Sequence, residues 1–378
     1  MSAFFHELER HAHDAPQTVD NWLASQRVPH VDGRTVTFVF HGEADSLHLR
    51  HWIFGLPSSQ AFSRIPGSLL WHLTVDLPEN SRVEYKLELV RGQARRLLQD
   101  PLNPARAHDP FGSNSVVYGA GYEVPAWSEP EHETREGHIE EHEIHSQAFG
   151  GTRPFQLYLP ARFRRLRRYP LLVVHDGLDY VKFARLKPVL DNLIHRLEIP
   201  SLLVALTQSP DRMREYADDP RHAQFLVQEL VPHLEEKYPL LTNPSARALM
   251  GASFGGIASL AAAWRHPGFF GNLLLQSGSF VFTDVGKHDR GPVFDPVVAF
   301  MNSFRKHPGR PAERVYMSCG QYESLIYYNR SLYPLLQQTG MQVRFSESRD
   351  GHNWENWRDR LREGLSYLFP GPLWYVYE

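Results

Sequence analysis

The sequence predicts two architectures in tandem: an antiparallel β-sandwich over residues 30–125, then a mostly parallel α/β sheet with helices on both faces over 138–378. Three observations predict this. Strand-like runs recur about every ten residues in the first third with no helical period between them. Apolar strands alternate with amphipathic helical segments in the remainder. The length of 378 residues also leaves room for two cores at roughly 150 residues per domain.

The elements follow in order. Residues 1–29 form a lead-in segment with a broken helical spacing (Phe4, Phe5, Leu8, then Val19, Trp22, Leu23) that needs a larger surface to pack on. From Thr35 the runs TVTFVFHG, DSLHLRHW, LLWHLTVDLP and SRVEYKLELV, separated by Gly, Pro, Asn and Ser, read as sandwich strands. The stretch 97–117 is dense in Pro, Asn and Asp and reads as coil ending in one more strand. Polar residues 126–137 read as an interdomain linker. Beyond it, strands are predicted at 139–146, 155–159, 170–175, 200–207, 246–250, 272–276, 314–318 and 342–346. Helices are predicted at 186–196, 221–237, 254–265, 327–338 and 355–368. In such sheets ligands bind beyond the carboxyl ends of the strands.

Composition excludes several function classes. With 42% hydrophobic and 22% charged residues the chain is not disordered. Forty basic against 43 acidic residues give a net charge of −3, so no global field attracts nucleic acid or anionic lipid, and anion recognition has to be local. The single cysteine, Cys319, admits neither an internal disulfide nor a cysteine metal cluster. Nowhere do about 18 apolar residues run together, and Met1–Arg10 lacks a basic segment followed by an apolar one. The expected setting is therefore the cytoplasm, without a membrane or nucleic-acid partner.

The strongest chemical signal is Gly251-Ala252-Ser253-Phe254-Gly255-Gly256, between a predicted strand and a predicted helix. This is G-x-S-x-G in the strand–turn–helix setting of a nucleophile elbow. The serine sits on a strained turn, so the positions two before and two after it must lack side chains. The elbow places Ser253 at a helix N-terminus, where the N–H of Phe254 can stabilise an oxyanion. In α/β-hydrolases the acid and then the histidine follow the serine. His352, in Asp350-Gly351-His352, lies at the end of the last strand and is the predicted base. Glu323, after the strand 314–318, is the predicted acid, with Asp350 as competitor and a Ser–His dyad without any acid left open. Asp350 is only two residues from His352 and is better placed to shape the turn. Leu178 or Gly177, in the turn after the strand 170–175, is expected to complete the oxyanion hole. Arg212, in the loop after 200–207, could grip carboxylate or catecholate oxygens or belong to a structural Arg–Glu pair. Tyr180, Tyr216, Trp354 and Trp357 either line an aromatic acyl pocket or pack internally. His138, His142 and His145 do not share a strand face and lack H-E-x-x-H spacing, so no metal site is expected, and the reaction requires no cofactor.

These motifs resemble the enterochelin (ferric-enterobactin) esterases and the esterase D-like proteins grouped with them. The resemblance rests on His175–Tyr180, Asp211–Tyr216, Gly251–Gly256, the spacing over 318–336, and Asp350–Leu361. It implies an α/β-hydrolase fold, catalytic roles for Ser253, His352 and Glu323, and a pocket role for Arg212, and Trp357 followed by Arg358 matches the family's Trp–Arg pair on the helix after the histidine. It also implies that the sandwich is an immunoglobulin-like E-set module. The implied substrate is a small-molecule ester such as an imported ferric siderophore, although feruloyl and acetyl esterases share the motifs. A same-fold acyltransferase, or a carbohydrate-binding protein using Trp52 or Trp71, stays open, as does a homodimer.

Overall fold

A computed structural model of the chain describes residues 3–283 and 288–371. Contacts divide it into two compact units. The first comprises residues up to Val124 together with Gly320–Ser324 and Ser348–Asn353; the second comprises Pro125–Cys319, Leu325–Glu347 and the chain from Trp354 onward. Two short loops expected in the second domain thus belong to the first.

The first unit is built on two antiparallel sheets. One has four strands in the order His30–Asp32, Thr35–His41, Leu70–Asp76, Ser63–Arg64. The other runs Ser59–Ala61, Ser46–His51, Arg82–Arg91, Gly112–Tyr118, Arg106–Asp109, with Ala94–Leu98 also paired to Arg82–Arg91. Phe38, Phe40 and Trp71 of the first sheet pack with Leu47, Leu49, Tyr85, Leu87 and Val117 of the second. Each large apolar side chain fully buried this way contributes about 1.5–3 kcal/mol. The strand Thr35–His41 does not alternate; its five central residues are all buried. The lead-in segment is the reason. It forms helices Ala3–His11 and Pro16–Ser25, whose Phe4, Leu8, Val19 and Leu23 cluster with Val39, so both faces of that strand are covered.

The second unit holds an eight-stranded sheet, whose strands we number β1 (His138–Ser146), β2 (Gly151–Leu159), β3 (Leu171–Val174), β4 (Leu203–Thr207), β5 (Arg247–Ala252), β6 (Asn272–Gln276), β7 (Arg314–Gly320) and β8 (Gln342–Ser348). Their order is β1-β2-β4-β3-β5-β6-β7-β8. β1, β2 and β4 are successively antiparallel, and β4, β3, β5, β6 and β7 are successively parallel. Strands β3 to β6 are buried along their whole length, as expected of strands covered on both faces. Separate apolar clusters occupy the two faces. β2 starts at Gly151, earlier than the expected 155, because β1 and β2 form one long hairpin.

The segment 126–137 is not a free linker. Trp127 is buried on this unit, Asn192 Nδ2 donates to the carbonyls of Trp127 and Glu129, and Gly137 N donates to Asp191. Among the described residues no helix is long and apolar enough to cross a membrane.

Candidate active site

The elbow is a product of steric exclusion. β5 ends at Ala252 and the helix Phe254–Arg265 begins two residues later, with Ser253 between them at φ 57°, ψ −119°. That region is sparsely populated by non-glycine residues and costs about 1–3 kcal/mol. A Cβ on Gly251 would lie 2.4 Å from the Gly255 carbonyl carbon, and one on Gly256 would lie 3.1 Å from Gly278 Cα. A Cβ on Gly255 would lie 3.2 Å from His175 Cβ, which brings the turn after β3 against the elbow. The backbone is tied down by Ser253 N donating to Gln276 O (3.0 Å) and by Gly256 N and Ser279 N donating to Ser253 O (both 3.1 Å). Ser253 Oγ lies 3.2 Å from Ser279 Oγ.

The residues predicted for the oxyanion hole sit at helix starts. Phe254 is the first residue of the elbow helix, and Gly177 and Leu178 open the helix Gly177–Phe183. First-turn N–H groups have no intrahelical acceptor and are available to an anion. Gly177 is required there because a Cβ would meet Leu206 Cα of β4 at 2.5 Å.

Glu323 and His352 lie on the two loops that belong to the first unit. Gln321 N donates to Ser348 O (2.7 Å) and Tyr322 N to Asp350 O (3.0 Å), so the loops after β7 and β8 are zipped together. Tyr322 Oη shares a 2.6 Å hydrogen bond with Ser81 Oγ, and Arg82 N donates to Arg349 O (2.9 Å). Glu323 is buried, accepts from Gly320 N through Oε1 (2.7 Å), and places Oε2 2.5 Å from His352 Nδ1. A carboxylate there requires Nδ1–H, which puts the lone pair of the neutral imidazole on Nε2. Asp350 faces elsewhere: its Oδ1 accepts from Gly351 N (2.7 Å), Asn353 Nδ2 (2.7 Å) and Arg82 Nη1 (3.3 Å). Burial pushes its carboxyl up to about 7 despite Arg82.

The proposed pocket residues need correction. Tyr180 and Tyr216 are completely buried and their hydroxyls are engaged, Tyr180 Oη donating to Gln276 Oε1 (2.8 Å) and Tyr216 Oη accepting from Asp176 N (3.3 Å). Trp354 and Trp357 are buried beside Tyr180 in the apolar cluster on one face of the sheet, and Trp357 Nε1 donates to Ser277 Oγ (2.9 Å). These four are core residues; a 3.6-residue helix period cannot tell which face the core takes. Arg212 is bidentate on buried Asp176 (2.8 and 3.1 Å) with a third of its side chain exposed, whereas Glu215 pairs with Arg153. The Arg–Glu pair suggested by the sequence is therefore two pairs with other partners. Trp71 is buried and donates to Gly42 O, which removes it as a sugar platform, while Trp52 is 58% exposed.

Sequence reasoning missed the polar chain beneath the elbow. His175 Nδ1 approaches Met250 O (3.1 Å) and Ser259 Oγ (3.0 Å), and its Nε2 lies 2.9 Å from His222 Nε2. Burial pushes His175 down to about 4 and His222 well below its ordinary value, so both rings are neutral. The signal was present in the strand-ending His175-Asp176, but its partner is 47 residues away. Among the described residues no group of three or more His, Cys, Asp or Glu side chains is arranged to hold a metal ion. His138 and His142 both bond Glu140 instead.

A G-x-S-x-G elbow after β5 of a sheet in this strand order defines an α/β-hydrolase, and the protein is a carboxylic-ester hydrolase. Residues 146–368, more than half of the chain, match the family described as "Putative esterase", and the chain belongs to that family. It is 27% identical over 340 residues to the iron(III) enterobactin esterase of Escherichia coli K12, covering 82% of each chain. The structure is similar to that of the enterobactin esterase FES from Shigella flexneri, solved in the presence of enterobactin, with TM-score 0.74, 21% identity and coverage of 92% and 97% of the two chains. A ferulic acid esterase structure matches with TM-score 0.54 and 20% identity over 62% of this chain and 98% of its own.

Proposed function

We propose that the protein is a serine esterase that works through an acyl-enzyme, and that its substrates are siderophore esters of the enterobactin type taken up into the cytoplasm. The observation that carries the mechanism is Glu323 Oε2 2.5 Å from His352 Nδ1, which sets the imidazole tautomer a general base needs. His352 Nε2 removes the Ser253 proton, Ser253 Oγ attacks the ester carbonyl, and the N–H groups of Phe254 and of Gly177 or Leu178 receive the oxyanion. The imidazolium returns its proton to the leaving alcohol. Water, activated by the same ring, then releases the acid. Glu323 orients His352 and stabilises its cation.

The substrate class is supported by the enterobactin esterases among the relatives, one of them matched over 82% of each chain. We assign the first unit as an immunoglobulin-like E-set module. The proposal includes no nucleic-acid or membrane partner and leaves a homodimer as an open arrangement. The test compares kcat/KM for linear and cyclic dihydroxybenzoyl-serine esters, methyl ferulate and p-nitrophenyl butyrate in wild type and Ser253→Ala. Preference for the siderophore esters, lost in the variant, is expected. Background rates on them with good turnover of ferulate would move the protein to the feruloyl class. Unimpaired turnover in Ser253→Ala would remove the serine mechanism.

A further inference from the structure

The segment that leaves β6, Gln276-Ser277-Gly278-Ser279, is fixed more firmly than a strand exit requires. Tyr180 Oη donates to Gln276 Oε1 (2.8 Å), Gln276 Nε2 donates to Trp357 O (2.8 Å), and Trp357 Nε1 donates to Ser277 Oγ (2.9 Å). Ser277 N donates to Ser318 O (2.6 Å) while its backbone is held at φ 45°. Buried Asn329 reaches in from the helix Ile326–Gln338 and donates through Nδ2 to Gly278 O (2.9 Å). A Cβ on Gly278 would run into the Phe280 ring, so the ring packs directly against the bare backbone here. A positive φ at a serine costs about 1–3 kcal/mol and persists only where the surroundings over-determine it. Two strained serines, Ser253 and Ser277, therefore flank one spot.

What this scaffold delivers is Ser279. Its N–H donates to Ser253 O (3.1 Å), and its Oγ lies 3.2 Å from Ser253 Oγ, within hydrogen-bond reach. Ser279 is 1% exposed, and Ser253 Oγ is the one hydrogen-bond partner of its hydroxyl among the described residues. A buried hydroxyl without a partner costs about 1–3 kcal/mol. When Ser253 gives its own proton to a base, the Ser279 proton has, among the described residues, one acceptor within reach, the nucleophilic oxygen itself.

We infer that Ser279 is a positioning residue for the nucleophile: its O–H donates to Ser253 Oγ, selects that side chain's rotamer, and strengthens its hold as negative charge grows on the oxygen. This rests on the serine-esterase reading above. In acylation the Ser253 O–H bond breaks, the proton passes to His352, and the Oγ electron pair forms the bond to the acyl carbon. Ser279 keeps its own proton throughout. In deacylation Ser253 Oγ is the leaving group, takes its proton back from the imidazolium, and is stabilised by the same donor. Both half-reactions therefore benefit, and substrate binding does not.

The experiment measures hydrolysis of p-nitrophenyl butyrate as a function of pH, and the rate of phosphonylation by a fluorophosphonate, in wild type, Ser279→Ala, Ser279→Thr and Ser253→Ala. Ser279→Ala is expected to lose about 10- to 100-fold in kcat and in the phosphonylation rate, the range for a hydrogen bond to a charged group, with KM and the apparent pKa of the rate profile unchanged. Ser279→Thr, which keeps the donor, is expected to recover most of both rates, and it decides the matter if the alanine variant does not fold. Wild-type rates in Ser279→Ala, a rise in KM alone, or a folded threonine variant as slow as alanine each overturn the inference. Ser253→Ala separates the two claims: if it is still phosphonylated at the wild-type rate, the serine reading falls. If it is inert while Ser279→Ala is normal, only the role of Ser279 falls.

Discussion

The elbow and the pair of loops that carry Glu323 and His352 are built by opposite means. At the elbow the backbone is forced into position by missing side chains: Gly251 against Gly255, Gly255 against His175, Gly256 against Gly278. The loops are instead held by polar side chains and by hydrogen bonds to the rest of the first unit, through Tyr322 to Ser81 and through Arg82 to Arg349 and Asp350. Close packing tolerates almost no substitution, whereas a hydrogen-bonded loop can be retuned by changing one partner. The position of Ser253 is thus a property of the α/β sheet. The placement of His352 and Glu323, the proposed base and acid, depends on residues from a different part of the chain.

Four experiments break or sharpen this contrast. The largest effect is expected at the nucleophile: Ser253→Ala should lose about 10⁴-fold or more in kcat, measured on p-nitrophenyl butyrate, without loss of thermal stability. Next, Glu323→Gln should lower kcat by about 10³- to 10⁴-fold by favouring the wrong imidazole tautomer, while Asp350→Asn should retain most activity because that carboxyl bonds Arg82 and the turn. Equal losses in the two variants would mean that the carboxylates share the role.

The third experiment sets buried titrations in the two units against each other. Asp350 has a folded value near 7, above its unfolded value near 4, so its folded state prefers the protonated form. Its contribution is most favourable below about pH 4 and is lost as the pH rises through 7, by up to about 4 kcal/mol. His175 has a folded value near 4, below its unfolded value near 6.5. Its contribution is fully present above about pH 6.5 and is lost as the pH falls towards 4, by about 3 kcal/mol. Thermal melts should therefore show Asp350→Asn gaining on wild type between about pH 4 and 7, and His175→Gln losing the acid sensitivity of wild type in the overlapping window. Parallel melting curves for wild type and either variant would contradict the corresponding assignment. The smallest effect is at Gly251→Ala, where overpacking against the Gly255 carbonyl should cost about 1–3 kcal/mol in denaturant unfolding and lower kcat. The same substitution at the exposed Gly150 turn, which meets nothing within 4 Å, is the comparison, and only its positive φ is strained there.

Much of the fold was legible in the residues. Long apolar strands of four to seven residues predicted β3 to β7, and the helical periods at 186–196, 221–237, 254–265 and 327–338 were placed to within a few positions, whereas the helices Gly177–Phe183 after β3 and Asp295–Lys306 after β6 were not foreseen. Domain edges were less so. Residues 126–137 are polar enough to read as a linker, yet Asn192 and Asp191 bind their backbone from a helix more than fifty residues away. The aromatic residues Tyr180, Tyr216, Trp354 and Trp357 misled because a sheet covered on both faces buries nearly everything near it, and composition does not separate a pocket wall from a core.

By itself the sequence determined the elbow, because G-x-S-x-G followed by a helix leaves few conformations that avoid a clash. It also determined the chain order of the eight strands of the second unit and pointed to His352 as the candidate histidine. Which carboxylate meets His352 belonged to the tertiary structure: Arg82, 268 positions from Asp350, bonds that carboxyl in the turn, and Glu323 bonds the imidazole. Ser279 beside Ser253 was decided the same way, by strands β5 and β6 lying side by side. Local sterics are written in neighbouring residues, whereas the partner of a charge or a hydroxyl is chosen by whatever distant segment the fold brings within about 3 Å.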